Sequence, residues 1–374
     1  MKYNGPHFLQ LPVSALSRIL SVVLSKLLRA SSMRLTKVLT KYVPSLFFML
    51  IFLSGCMFTP GINSSHVEIA NGFGKADLPD GSVYEGEFSQ GLFDGEGILT
   101  LKNGGKYVGE FNNGERHGYG EFFSGSGFVY KGQYKNGIAH GHGSLETPDG
   151  IHYVGEFDHG KKSGHGVQIE LGVGRYVGQF KRDNFDGCGK FSYETGDTYE
   201  GEFKNGARHG YGEFVSGTGL IYQGQYKNGV AYGHGSLTIP EGIQYEGDIV
   251  NGLKEGNGVQ IEPGLGRYEG QFKKDNYEGR GKFSFDNGDM YEGEFRSGYW
   301  NGYGEFYSHN ELIYKGSYRN GVAHGHGVLE TPEGAVYEGE FAKGKKEGYG
   351  IQIEPGLGRY EGYFSKDRYE GQGK

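Results

Sequence analysis

The sequence predicts an all-β fold: an elongated meander of consecutive antiparallel β-hairpins in a single twisted sheet. Three observations carry that prediction. A five-residue phrase (aromatic, any residue, Gly, a mostly polar residue, aromatic) begins at Tyr84 and returns every 23 residues without slippage up to Tyr360, thirteen copies in all. Within the phrase, the first, third and fifth residues alternate with polar ones, the period of a strand with one buried face. The 72 glycines share the chain with 29 Tyr and 25 Phe, which suits regular turns between aromatic strands rather than a collagen helix or a disordered linker. A fixed period of this length is the mark of a repeat architecture.

Taken in order, the chain opens with a segment unlike the rest. Residues 1–67 hold no Asp or Glu and seven of the 38 Lys and Arg, so 31 basic residues face 45 acidic ones beyond it, a net of −14. A basic head before an acidic body reads as a targeting segment ahead of a soluble domain. The apolar run Ser45–Leu53 is short for a bilayer span and suits the core of a signal peptide. It leads into Leu53-Ser54-Gly55-Cys56, which resembles the lipobox of bacterial lipoproteins, with Arg34, Lys37 and Lys41 as the charged leader. On that resemblance, residues 1–55 are a signal segment, Cys56 is lipidated and becomes the new N-terminus, and residues 56–71 are a tether. Met33 offers an alternative start that gives a leader of ordinary length. The expected location is a bacterial envelope, membrane-anchored. A plain secretory signal, an uncleaved anchor or an organelle transit peptide are the alternatives. Cys56 and Cys188 are the only cysteines, so no disulfide framework is implied.

Residues 72–374 form the array. Counting from each Tyr as zero, Gly stands at +2, +11 and +13 in every copy. An aromatic stands at +4 in twelve, with Ile249 the exception, and Gly at +7 except at Asp183, Asp275 and Asp367. Positions 0 to +4 are a first strand. Its buried face is Tyr-Gly-Phe, as in Tyr199, Gly201 and Phe203 or Tyr291, Gly293 and Phe295. Its other face carries acids such as Glu200/Glu202 and Glu292/Glu294. A second strand begins at +13, and turns fall near +7 and +20, where glycine supplies positive φ. Glycine in mid-strand at +2 makes room for an aromatic ring from a neighbouring strand or repeat. A longer period of 92 residues, four hairpins, overlies the short one, and Gly-Val-Gln-Ile-Glu at Gly166 and Gly258 marks the third hairpin of a block. Gly72, Gly74 and Gly81 fit a lone second strand at the start, giving thirteen first and thirteen second strands. Open sheet edges at both ends would invite self-association.

Tyr-x-Gly-x-(Phe/Tyr)-x-x-Gly-x-x-x-Gly-x-Gly at this period resembles the MORN (membrane occupation and recognition nexus) repeat over residues 72–374. The resemblance implies an elongated, twisted β-meander that serves as a scaffold for protein contacts, oligomerisation or lipid binding. Many members carry Trp at +4; here it is Phe or Tyr, and the only Trp, Trp300, is placed in a loop.

Few residues suggest chemistry. His142, His165, His234 and His326 at +12, and His117, His140, His209 and His324 at +10, fall in loops between paired glycines. Nothing beside them completes a closed metal site, and no metal or other cofactor is expected. Gly125-Ser126-Gly127 follows the hairpin period and lacks the Gly-Lys-Ser/Thr ending of a phosphate loop. The acid pairs repeat too often for a catalytic pair, and Cys188 is a lone loop thiol. Lys135, Lys181, Lys204, Lys227, Lys273, Arg296 and Arg319 at +5 make a basic rail that meets anionic lipid or, on the simpler view, pairs with the Glu at +1 and +3. Nucleic acid is not an expected partner, since the aromatics are taken up in the hairpin face. The reading is a non-enzymatic, membrane-anchored scaffold for an unidentified protein. Specificity would lie in Glu292, Glu294, Arg296 and Tyr299-Trp300-Asn301. The alternatives are lipid binding by the rail, or a glycan-binding or enzymatic envelope factor using Tyr299, Trp300 and His309.

Overall fold

A computed structural model describes residues 70–309 and 311–374. Leu53, Ser54, Gly55, Cys56, Met33 and nearly all of the tether lie outside the described residues. Among those described there are 27 strands, β1–β27 in chain order, and no helix. The chain divides into two compact units near residues 218–229. In the first unit, β1 (Asn71–Asp77) to β13 (Ala207–Val215) form a meander in which each strand pairs antiparallel with the next. In the second, β15 (Val230–Thr238) to β27 (Arg368–Glu370) do the same. Strand β14 (Ile221–Lys227) falls at the division.

One hairpin explains the repeat. Strand β20 (Met290–Arg296) and strand β21 (Tyr299–Ser308) are joined by Ser297 and Gly298. Both have positive φ, 52° and 83°, the two-residue turn whose twist matches that of the strands. Gly293 then faces Gly304, and Phe295 faces Trp300. Asn301, Gly302 and Tyr303 therefore stand against the single residue Glu294, a β-bulge, with Gly302 at φ 64°. The +11 glycine exists for that bulge, because a side chain is strained there. The second strand thus begins at +8, not at +13 as the glycine pair suggested. Trp300 lies in a strand and is 1% exposed, not in a loop, and Cys188 lies exposed in β11 (Asn184–Tyr193). The histidines at +10 and +12 are likewise on strands. Because second strands start early, there are fourteen of them with β1 and β27 included, one more than the spacing suggested.

The glycines at +2 and +13 also have a specific cause. A Cβ on Gly304 would lie 2.4 Å from the Tyr291 hydroxyl and 2.6 Å from its ring. A Cβ on Gly293 would lie 2.6 Å from the Gly304 Cα. The ring that needs the space is therefore the hairpin's own Tyr, laid across the +13 glycine, rather than a ring of another repeat lying on +2. Its hydroxyl donates 3.0 Å to the Glu294 carbonyl that the bulge would otherwise leave unpaired. All thirteen tyrosines make this bond, as Tyr84, Tyr176 and Tyr360 illustrate.

A single sheet layer buries its core by ring-on-ring contact. In the second unit Tyr268, Phe295, Tyr291, Tyr318, Tyr314, Phe341 and Tyr337 meet edge-to-face in sequence, with centroids 5.0–5.3 Å apart. The first unit has the same column, for example Tyr153, Phe180, Tyr176, Phe203 and Tyr199. Each such pair adds about 0.5–1.5 kcal/mol beyond the area it buries. Tyr199, Phe203, Tyr291 and Phe295 are all between 0% and 3% exposed.

Candidate functional site

The inner face is closed over by the residue at +9. It is Trp300 on Tyr291 (4.3 Å, 5° between planes), Tyr277 on Tyr268 (3.9 Å) and Phe185 on Tyr176 (4.0 Å). In the third hairpin of each block it is a lysine: Lys162, Lys254 or Lys346. Here the Gly-Val-Gln-Ile-Glu phrase finds its purpose. The phrase turns Gln and Glu inward, so Lys162 donates to Gln168 (2.5 Å), while Lys254 donates to Gln260 and Lys346 to Gln352. Gln260 Nε2 donates 2.6 Å to Glu262, which also accepts the Tyr277 hydroxyl at 2.9 Å. Burial pushes the Lys162 and Lys254 amines below the usual lysine range. In the first unit Phe185 stands where Tyr277 stands, Glu170 Oε1 has no hydrogen-bond partner, and burial raises that carboxyl. The same lysines account for the aspartates at +7. The backbone N–H groups of Lys162, Lys254 and Lys346 donate to Asp183, Asp275 and Asp367, at 2.8–2.9 Å. These lysines lie over aromatic rings, 5.5 Å from Tyr153 and 5.4 Å from Tyr245, for example. This buried network was not predicted from the residues; the 92-residue recurrence of Lys, Gln and Asp was the signal available for it.

The outer face is where side chains are available. Its acids do two different things. Those at +3 close the bulge: the N–H of Tyr119 donates to Glu110 (2.8 Å), that of His165 to Glu156 (2.8 Å) and that of Tyr211 to Glu202 (2.9 Å). Such residues are structural, which the period-two pattern did not reveal. The acids at +1 and +14 pair across strands with lysine: Lys131–Glu121 at 3.1 Å, Lys190–Glu200 at 3.0 Å and Lys315–Glu305 at 2.7 Å. Lys315, with the Tyr307 hydroxyl, holds the Glu305 carboxyl below its ordinary range.

Two of the histidines at +12 lie between the next hairpin's carboxylates, His234 near Glu246 (3.8 Å) and Asp248 (3.7 Å) and His326 near Glu338 (3.8 Å) and Glu340 (3.9 Å), whereas His165 is 3.9 Å from Glu156 of its own hairpin. No group of three His, Cys, Asp or Glu among the described residues is placed to hold a metal ion. Lys135, Lys181, Lys204, Lys227, Lys273, Arg296 and Arg319 are exposed at the ends of their strands. The ion pairs of Glu200 and Glu121 go to Lys190 and Lys131 rather than to these residues. Tyr299 and His309 are on a strand and in the following turn, and His309 sits 3.1 Å from the Ser308 hydroxyl. They do not converge with Trp300, whose ring is buried.

Within the second unit the outer face holds a groove of about 800 Å³, lined by Glu269, Arg280, Lys282, Glu292, Glu294, Tyr303 and Glu305. It lies over β18 (Gly266–Lys273), β19 (Asn276–Phe285), β20 and β21. Lys282 stands directly opposite Glu292, and Arg280 opposite Glu294, yet neither pair forms an ion pair within 4.0 Å. The Glu294 carboxyl lies over Gly302, as that of Glu202 lies over Gly210, but unlike Glu110, Glu156 and Glu202 it does not accept the amide of the residue that follows; Tyr303 is 50% exposed. The equivalent places of the first unit differ: Val177 and Cys188 stand where Glu269 and Arg280 stand in the groove, and Val177 ends a cross-strand valine row with Val167 and Val154 on β10 (Gly174–Lys181), β9 (Lys161–Glu170) and β8 (Ile151–Asp158). Ile169 and Leu171 beside it are 45% and 80% exposed.

A family model described as MORN repeat matches thirteen consecutive stretches between residues 84 and 374, among them 176–198, 268–290 and 291–311. No curated protein matches the chain. Among solved structures, the wild-type TCP10 domain of Danio rerio CPAP is 10% identical over 66% of this chain and 100% of that one, with a TM-score of 0.24. The SAS-4 (dCPAP) TCP domain of Drosophila melanogaster, in complex with a proline-rich motif of Ana2, is 8% identical over 51% and 98%, with a TM-score of 0.27. A virginiamycin B lyase from Staphylococcus aureus is 10% identical over 79% and 90%, with a TM-score of 0.13. At such scores these likenesses bear on neither the fold nor the function of this chain.

Proposed function

The chain belongs to the MORN repeat family, and from that premise we propose that it is a non-enzymatic scaffold, held at a bacterial membrane by a lipid on Cys56, that binds a protein partner on the outer face of its array. One observation carries the reading. The residues common to all copies are used up in building the hairpin: Tyr291 covers Gly304, and its hydroxyl completes the bulge. What differs from copy to copy faces outward, largely exposed at +1 and +12, as with Val154 and Glu246 or Cys188 and Arg280, and mostly half-buried at +14. A surface that varies over an unvarying frame suits recognition, and repeat arrays offer extended surfaces for it. Catalysis would need a singular constellation, whereas the outer face offers variations on one theme.

The test is mass spectrometry of the mature N-terminus combined with crosslinking in cells. The expected result is a lipidated Cys56 and partner crosslinks that map to the outer face. An unprocessed N-terminus would overturn the anchor, and an array without partner crosslinks would overturn the scaffold. A second reading rests on the exposed cations at the hairpin ends of each unit, such as Lys181 and Lys204 or Lys273 and Arg296. Their shared edge suits an anionic lipid surface, and liposome binding that is lost at high salt and on Lys273→Ala/Arg296→Ala would favour it.

A further inference from the structure

The groove of the second unit has a pattern that specifies more than a generic partner. Its two cations, Arg280 and Lys282, lie on β19, and the two carboxylates opposite them, Glu294 and Glu292, lie on β20. None of the four is engaged with its neighbour, whereas Lys190 and Glu200, in the same hairpin places of the first unit, are joined at 3.0 Å. The remaining charges are already satisfied: Glu269 holds Arg267 at 2.6 Å, and Glu305 holds Lys315 and the Tyr307 hydroxyl. The open charges thus balance, two positive in one strand and two negative in the next. A purely basic or purely acidic ligand would meet repulsion from half of them.

We propose that this groove docks an extended segment of a partner protein in which acidic and basic residues alternate. The proposal rests on the scaffold reading and names its recognition chemistry. An extended chain sends successive side chains to opposite sides. Laid along the seam between β19 and β20, such a segment turns one set of side chains toward Arg280 and Lys282 and the other toward Glu292 and Glu294. Residues two apart on a strand are about 7 Å apart, so the two rows of the groove, 280 with 294 and 282 with 292, match residues i and i+2 of the guest. Tyr303, on the strand beyond Glu292 and Glu294, stands on the side where the guest's Lys or Arg falls, within reach for a cation–π contact. The groove volume of about 800 Å³ suits a short extended segment. The first unit cannot offer the same pattern: Cys188 replaces Arg280, Val177 replaces Glu269, and Glu202 is committed to the Tyr211 amide.

The experiment compares two octapeptides of identical composition against the full chain by fluorescence anisotropy, one alternating Glu and Lys, the other four Glu followed by four Lys. The alternating peptide should bind in a salt-sensitive manner, at least about tenfold tighter than the block peptide, and Glu292→Gln/Glu294→Gln should weaken it by about tenfold or more. Glu200→Gln in the first unit should leave it unchanged, and melting curves establish that each variant is folded. Equal binding of the two peptides, an equal loss from Glu200→Gln, or no binding of the alternating peptide would each overturn the groove. If that happens while partner crosslinks persist on the array in cells, only the groove fails; if the crosslinks are also missing, the scaffold reading fails with it.

Discussion

Lys190 and Glu200 in the first unit meet at 3.0 Å, while Lys282 and Glu292, 92 residues later and in the same hairpin places, stay apart. The inner faces of these two regions are nearly interchangeable. Tyr199 and Tyr291 are both fully buried, each donates its hydroxyl to the +3 carbonyl at 3.0 Å, and each is covered by a large +9 residue, Arg208 or Trp300. The outer faces diverge: Val177 and Cys188 in the one stand where Glu269 and Arg280 line the charge-balanced groove of the other. Duplicated blocks of this kind hold the packing side fixed and release the opposite side for change. The reason is that successive strand residues face opposite ways, so an outward substitution leaves the ring column untouched.

The comparison can be broken or sharpened, beginning with the largest effect. Trp300→Ala should cost about 3–5 kcal/mol, because it uncovers the Tyr291 ring and leaves a void. Arg208→Ala should cost about half as much, since the guanidinium covers Tyr199 and Phe214 less completely, at 5.5 and 5.4 Å from the ring centroids. Urea melts of both variants measure this, and an equal loss would mean that +9 acts alike in the two units whatever the side chain. Gly304→Val and Gly212→Val should each cost about 3 kcal/mol by driving a side chain into the covering tyrosine. Tolerance at one site alone would show that the two inner faces are not equivalent.

Tyr291→Phe and Tyr199→Phe should each cost about 1–2 kcal/mol through a carbonyl left unpaired in the bulge. Faster amide exchange confined to the affected hairpin would locate the loss. The same hydroxyls predict a shared response to alkali. Burial raises them, Tyr337 to about 12 and Tyr291 further. The unfolded chain sheds these protons first, above about pH 10, so stability is level below that pH and falls above it by up to about 1.4 kcal/mol per pH unit for each such tyrosine. Urea midpoints between pH 8 and 11 follow this, and each Tyr→Phe change should shallow the slope. The smallest effect belongs to the outer face. Glu292→Gln should move stability by less than about 0.5 kcal/mol, and a larger loss would make this carboxylate part of the frame.

Much of this was legible in the residues. The 23-residue period of Tyr84 to Tyr360, the hairpin and its aromatic face follow from alternation and from turn chemistry. The place of Trp300 did not follow. Two glycines flanking one residue look like a turn, whereas Gly302 and Gly304 serve a bulge and a covering ring, which moves the start of the strand five places earlier. Glu294 and Glu202 read alike in sequence and both lie over a bulge glycine, yet only Glu202 accepts the following tyrosine's amide.

The sequence by itself determined the repeat, the number of first strands and which face of each is aromatic, because local periodicity encodes all three. Tertiary structure alone decided what each glycine makes room for, how Lys254, Gln260 and Glu262 join under the rings, and which outer charges are spent on one another. Those outcomes depend on which residues stand opposite across strands, and a bulge changes that pairing without changing the spacing along the chain.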